Sequence, residues 1–302
     1  MICTTHGLLT NPVYFTGSPT CNLYVLDAPV GAIIEGGVTC EGPIYSRRIQ
    51  ALLGRKQPEL LFLTHSHWDH CGAVAHLKEV FPTLQIAAPS LTGEIVRKET
   101  AQKLIQQLNQ GFKERSEKNS AADSVMLSDE PFKPFSVDII LQDGRETALG
   151  DGVVIKAFAT PGHTREHYSY YLPRVKVLFA GEAAGLYETT GAITVSFVSD
   201  YEAYLSNLRR LSSLAVQVLC LGHFLVLIGE NEIKDFFEKS WRETIRYHDQ
   251  IIKLLNEEHG DTDRVIEKLK TGYFGFNDDY TRLELFMINT RAQVLHLAKM
   301  KA

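Results

Sequence analysis

The chain lacks several features that would each assign it to a class. No stretch approaches the roughly 18 consecutive apolar residues of a membrane-spanning helix, so no membrane partner is expected. The opening residues Met1-Ile2-Cys3-Thr4-Thr5-His6 carry no positive segment leading into an apolar one, so export is not expected and the cytoplasm is the expected compartment. Basic charge is not in excess: 31 Lys and Arg stand against 36 Asp and Glu, a net charge of −5. That balance advertises no face for nucleic acid or anionic lipid. Cysteine is scarce and unpatterned. Cys3, Cys21, Cys40, Cys71 and Cys220 show no C-x-x-C pair and no disulfide-scaffold spacing, so they read as reduced, mostly packed thiols. Cys71 adjoins the histidine-rich segment and Cys220 lies three residues before His223, so either could approach a metal, and packing is the expected role of both. No internal repeat is visible.

What is present is concentrated in one segment, Phe62-Leu63-Thr64-His65-Ser66-His67-Trp68-Asp69-His70-Cys71-Gly72. The apolar run Leu60-Leu61-Phe62-Leu63 before it reads as a buried strand, and Ala73-Val74-Ala75-His76-Leu77 after it reads as a helix start. His65, His67, Asp69 and His70 are therefore expected on a turn at a strand's end, where α/β proteins build sites. Imidazole and carboxylate at this density suit zinc, iron or manganese.

The rest of the chain reads as a mixed α/β body followed by helices. Strands are predicted at 22–26, 31–35, 137–141, 153–158, 167–171, 175–179 and 216–221, with a helix over 44–54. A helical insertion is predicted over about 90–120, and 113–134 reads as a loop. Asp200 is the expected N-cap of a helix running through Leu211. Beyond 230 the pattern is helical, with segments to Leu255, at 262–271 and at 280–299. The expected division is a body of residues 1–230 and a helical extension of residues 231–302 covering the site. Three other predicted strands end beside a glycine and a ligand-type side chain: Pro161-Gly162-His163, Gly181-Glu182 and Gly222-His223.

With these residues in hand, the chain resembles the metallo-β-lactamase superfamily. The family's H-x-H-x-D-H motif matches His65, His67, Asp69 and His70; its next histidine matches His163, its bridging carboxylate falls at Glu182, and its last histidine matches His223. The resemblance covers residues 13 to about 230 and implies an α/β fold, the four-layer αβ/βα sandwich, here with a helical C-terminal extension. It also implies two divalent metal ions. His65, His67 and His163 would hold one, and Asp69, His70 and His223 the other. Within the family, Ile34-Glu35-Gly36-Gly37, His70-Cys71-Gly72, Gln107-Leu108-Asn109 and Glu202-Ala203-Tyr204-Leu205 resemble thioesterase-like members with a di-iron site. One departure stands out. The family usually has aspartate where this chain has Glu182. Glutamate can bridge two metals, bind one, or turn away and leave a mononuclear site; the intact Gly181-Glu182 setting favours a retained ligand.

The implied chemistry is hydrolysis. A hydroxide on the metals would attack a small acyl thioester or ester, with Asp69 orienting it and taking its proton. Lactone or phosphodiester hydrolysis, a di-iron redox enzyme, and a non-enzymatic regulator that keeps the fold are the alternatives. His167 is a candidate neighbour of the ligands or of substrate, and Tyr187, Phe197 and Phe224 are candidate substrate contacts, joined by Tyr273, Phe274 and Phe276 between the last helices. The expected partner is a small-molecule acyl substrate. A homodimer through the helical extension is the candidate association.

Overall fold

The computed structural model describes residues 1–18, 21–119, 126–188, 191–274 and 280–301. The chain divides into two compact units, each discontinuous in sequence. The first comprises Met1–Ala159, Tyr168–Gly181 and Ala215–Ile233; the second comprises Thr160–His167, Glu182–Leu214 and Lys234–Ala302.

The first unit holds two seven-stranded sheets. One runs, in spatial order, through Gly7–Thr10, Val13–Gly17, Asn22–Leu26, Gly31–Ile34, Pro58–Phe62, Gln85–Ala88 and Ile139–Ile140. Its first half is antiparallel and its second half parallel, beginning where Gly31–Ile34 pairs with Pro58–Phe62. The other runs through Ile2–Cys3, Val226–Ile228, Val218–Leu221, Val177–Gly181, Tyr168–Leu172, Val153–Ala159 and Glu146–Gly150. The near-continuous apolar runs explain why Asn22–Leu26, Tyr168–Leu172 and Val177–Gly181 are buried along their whole length. The two sheets share one core, in which the rings of Tyr24 and Phe179 lie 5.1 Å apart and those of Phe62 and Tyr170 lie 5.3 Å apart. Buried phenols fasten the sheets at the strand ends: Tyr24 donates to Leu221 O at 2.6 Å, and Tyr170 donates to Leu63 O.

Helices cover this unit's first sheet. Gly42–Leu53 has Pro43 in its first turn, buries Tyr45, Ile49 and Leu53, and packs against Val13–Gly17. The predicted insertion is two helices, Ser90–Val96 and Glu99–Asn119. The second overruns the loop expected from residue 113, and within the described part of that segment Phe132 is buried. The strand expected over 31–35 stops at Ile34, because Glu35 turns out of it with φ 74°. The expected turn after Phe62 contains a single helical turn, Trp68–Cys71, before the helix Val74–Val80.

In the second unit, Asp200 caps the helix Tyr201–Ser212 as expected, its Oδ1 accepting from Ala203 N at 2.9 Å. The segment before that cap packs on the C-terminal helices. Phe197 is fully buried between Tyr201, Tyr204 and Tyr247, and Gln293 Nε2 donates to Val195 O at 3.3 Å. Ser240 donates to Ala184 O at 2.6 Å. The terminal helices Thr262–Phe274 and Tyr280–Lys301 pack on one another. The mixed α/β fold with two sheets and a helical C-terminal region is the one expected. Among the described residues, no helix is long and apolar enough to cross a membrane. Phe276 and the side chains of Tyr273 and Phe274 lie outside the described residues.

Candidate metal centre

The first unit gathers His65, His67, Asp69, His70 and His223. The strand Pro58–Phe62 delivers the chain to Thr64 and His65, and the single turn Trp68–Cys71 carries Asp69 and His70. The ring of His65 lies 4.5 Å from that of His67 and 4.2 Å from that of His70. His65 and His70 are buried; His67 and Asp69 are partly exposed. His223 arrives from the other sheet, immediately after Val218–Leu221, and its Nε2 lies 3.2 Å from His70 Nε2 and 3.6 Å from Asp69 Oδ2.

Hydrogen bonding behind the rings sets which nitrogen each presents. The Glu35 carboxylate is buried and can only accept, so Thr64 donates its single hydroxyl proton to Glu35 Oε1 at 2.6 Å. Toward His65 Nδ1, 2.9 Å away, the same oxygen must then accept. His65 therefore carries its proton on Nδ1 and its lone pair on Nε2. Glu35 Oε1 also lies 3.2 Å from His70 Nδ1, which favours the same tautomer there. One buried carboxylate oxygen thus orients two imidazoles, His65 through Thr64 and His70 directly.

The second unit holds His163, His167 and Glu182. Ser196 O accepts from His163 Nδ1 at 2.7 Å, so His163 Nε2 holds the lone pair, and it lies 2.8 Å from Glu182 Oε2. His167 Nε2 accepts the backbone N–H of Glu182 at 3.2 Å, so its Nδ1 proton goes to Thr160 Oγ1 at 2.8 Å. His167 is thereby a buried strut that fixes the Glu182 backbone. The phenol of buried Tyr204 has its pKa raised, first by burial and then by the charge of Glu182.

These donors fit a metal on their own chemistry. The lone pair of His163 Nε2 faces Glu182 Oε2 at 2.8 Å, acceptor against acceptor, a contact that a metal ion or a proton makes attractive. His70 Nε2, His223 Nε2 and Asp69 Oδ2 converge as nitrogen and oxygen donors of the kind a divalent cation takes. The 3.6 Å separation of the His223 and Asp69 atoms is near the roughly 3.4 Å edge of a tetrahedron with zinc-to-ligand bonds of about 2.1 Å. Imidazole and carboxylate suit zinc, iron and manganese alike.

The other candidate residues are placed as follows. Tyr187 is partly exposed, its ring at 5.7 Å from Phe236 and under the Lys239 ammonium at 5.6 Å. Phe224, also partly exposed, sits at φ 65° with its ring 5.9 Å from that of His223. Phe197 occupies the aromatic core described above. Cys71 donates to Ser66 O at 3.4 Å, and Cys220 is buried beside Tyr24. Sequence reasoning missed the orienting role of Glu35, whose one signal is an acidic residue closing an apolar strand before Gly36-Gly37. It also missed Ser196, whose part is played by a backbone carbonyl and leaves no side-chain signal.

Glu35→Gln keeps the shape but removes the charge that holds both tautomers. Metal affinity, measured by competition with a chromophoric chelator, is expected to fall about 10- to 100-fold. Unchanged affinity would remove Glu35 from this role.

Residues 21–223 match the model of the metallo-beta-lactamase superfamily. The chain belongs to that superfamily, which is made up mostly of hydrolytic metalloenzymes. It is 26% identical over 167 residues to the atrochrysone carboxyl ACP thioesterase of Aspergillus fumigatus, covering 55% of this chain and 38% of that protein. It is 24% identical over 199 residues to the beta-lactamase-like protein 2 homolog of Caenorhabditis elegans, covering 66% of this chain and 52% of that protein. The chain thus spans about half the length, or less, of these curated relatives. A metallo-beta-lactamase family protein from Thermus thermophilus shares the fold, with a TM-score of 0.64, 18% identity, and coverage of 97% of this chain and 95% of that one.

Proposed function

We propose that the chain is a metal-dependent hydrolase of small acyl thioesters or esters. The observation that carries this reading is the pair of buried imidazoles, His65 and His163, whose Nδ1 protons are tied back to Thr64 and Ser196, which leaves each Nε2 lone pair to face a metal; that of His163 already faces Glu182 Oε2. The thioesterase relative supports the choice of a thioester.

Family membership supports the ligand assignment: His65, His67 and His163 for one divalent cation, Asp69, His70 and His223 for a second, and Glu182 serving both. Zinc, iron or manganese there would supply Lewis acidity, lowering the pKa of a water and polarising the substrate carbonyl. Asp69, partly exposed, holds the attacking water and takes its proton at a carboxylate oxygen. Water adds to the acyl carbon, the C–S bond breaks, and the thiolate leaves with that proton. Glu35 and Thr64 keep the His65 proton on Nδ1 throughout. Phe224 and Tyr187 are the proposed apolar contacts for the acyl chain.

The test is a panel of short acyl and aryl thioesters, esters, lactones and a phosphodiester, assayed with the full chain before and after chelation. Thioester turnover is expected, falling at least about a hundredfold on chelation and returning with metal. Turnover indifferent to chelation would contradict the reading; preference for the lactone or phosphodiester would overturn the substrate class.

A further inference from the structure

Cys21 has no sequence relationship to the histidines. In the fold, its sulfur, a carboxylate oxygen of Asp69 and a ring nitrogen of His223 lie within 4.8 Å of one another. The thiol is buried, 2% exposed, while the other two groups are partly open to solvent at their edges.

The placement is built. Ser18 N donates to Cys21 O at 2.9 Å, and Cys21 N donates back to Ser18 Oγ at 3.1 Å, closing the bend that carries the cysteine. Asn22, the next residue, is fastened to the segment bearing His223: its N–H donates to Gly222 O and its Nδ2 to Leu221 O, each at 3.0 Å. The residue after Cys21 and the two residues before His223 are therefore clamped together by two hydrogen bonds. Asp69 reaches the same place from the single turn Trp68–Cys71.

We propose that Cys21 is a sulfur ligand, or a sulfur that enters on metal binding, for the cation held by Asp69 and His223. The proposal rests on the metal-centre reading above and adds a donor that reading does not contain. One thiolate among nitrogen and oxygen donors shifts the preference of this position toward zinc, cobalt and cadmium and away from magnesium or manganese. The thiol proton passes to solvent as the sulfur–metal bond forms.

The test uses the full chain, stripped by chelator and reloaded with cobalt(II) or zinc(II) to saturation measured by elemental analysis. Cobalt-loaded protein is expected to show an intense near-ultraviolet sulfur-to-cobalt charge-transfer band. Zinc-loaded protein should show a sulfur shell at about 2.3 Å in X-ray absorption, beyond the nitrogen and oxygen shell near 2.0–2.1 Å. Both signals should vanish in Cys21→Ser and persist in Cys3→Ser, which alters a thiol near the surface. Circular dichroism establishes that each variant is folded; if Cys21→Ser is not, Cys21→Ala takes its place, with Cys71→Ser as the comparison that should keep both signals. Metal bound at full stoichiometry without a sulfur signal would overturn the Cys21 proposal and leave the hydrolase reading standing. A sulfur signal that survives in Cys21→Ser would assign the sulfur elsewhere and overturn it as well. Failure of the wild type to bind either metal would overturn both.

Discussion

Replacing His65 with alanine is expected to lower kcat/KM for thioester hydrolysis by at least about a thousandfold, or roughly 4 kcal/mol of transition-state stabilisation. His65 is the endpoint of the Glu35–Thr64–His65 chain, so its loss removes a nitrogen donor and leaves the Thr64 oxygen without its imidazole proton. The chain should bind fewer equivalents of metal, which elemental analysis reads directly. The fold should survive, because His65 lies at the end of its strand and the shared core of the two sheets does not include it. Wild-type turnover by a folded His65→Ala protein would sink the assignment.

Gly162→Ala is expected to act through the backbone. Gly162 has φ 137°, and an added Cβ would lie 2.5 Å from Tyr204 Cα and 2.6 Å from Tyr204 N. These are backbone atoms of the helix Tyr201–Ser212, so no flexible side chain can swing aside. The carbonyl of Gly162 meanwhile accepts from Val198, Ser199 and Asp200 N–H at 2.9–3.1 Å, anchoring the start of the same helix. Overpacking and a strained dihedral together should cost about 3 kcal/mol or more. At roughly 2–4 °C per kcal/mol for a domain of this size, Tm should fall by roughly 6–12 °C, with or without metal. Gly144→Ala is the comparison: φ is also positive, at 79°, but a Cβ there meets nothing within 4 Å, so only about 1 kcal/mol is expected. Equal losses at the two positions would show that dihedral strain alone accounts for the effect. His163 follows Gly162 directly, so the displaced backbone should also weaken metal binding.

The parts of the candidate site legible in the sequence were those where residue type and local punctuation coincide. His65, His67, Asp69 and His70 crowd the end of an apolar strand, and His163, Glu182 and His223 each stand beside a strand-end glycine. Glu35 was not legible as an orienting group, because an acidic residue at a strand end ordinarily faces water. Its burial follows only from Thr64 and His70 folding against it. Cys21 and His223 are some two hundred positions apart, and their meeting depends on which strands of two different sheets end together. Ser196 contributes through its carbonyl, which any residue could supply. The helix Glu99–Asn119 outran its expected end for another reason. Its last turns are polar and lack an apolar stripe, yet Gln110–Glu114 at 2.9 Å and Lys113–Glu117 at 3.6 Å link successive turns.

The most direct test of the central claim is the rate of acyl-thioester hydrolysis by chelator-stripped protein as zinc(II) or iron(II) is added in measured equivalents. The account predicts negligible turnover at the start, a rise as metal is bound, and a plateau at two equivalents per chain. Turnover by metal-free protein, or bound metal with no turnover of any acyl ester or thioester, would contradict it.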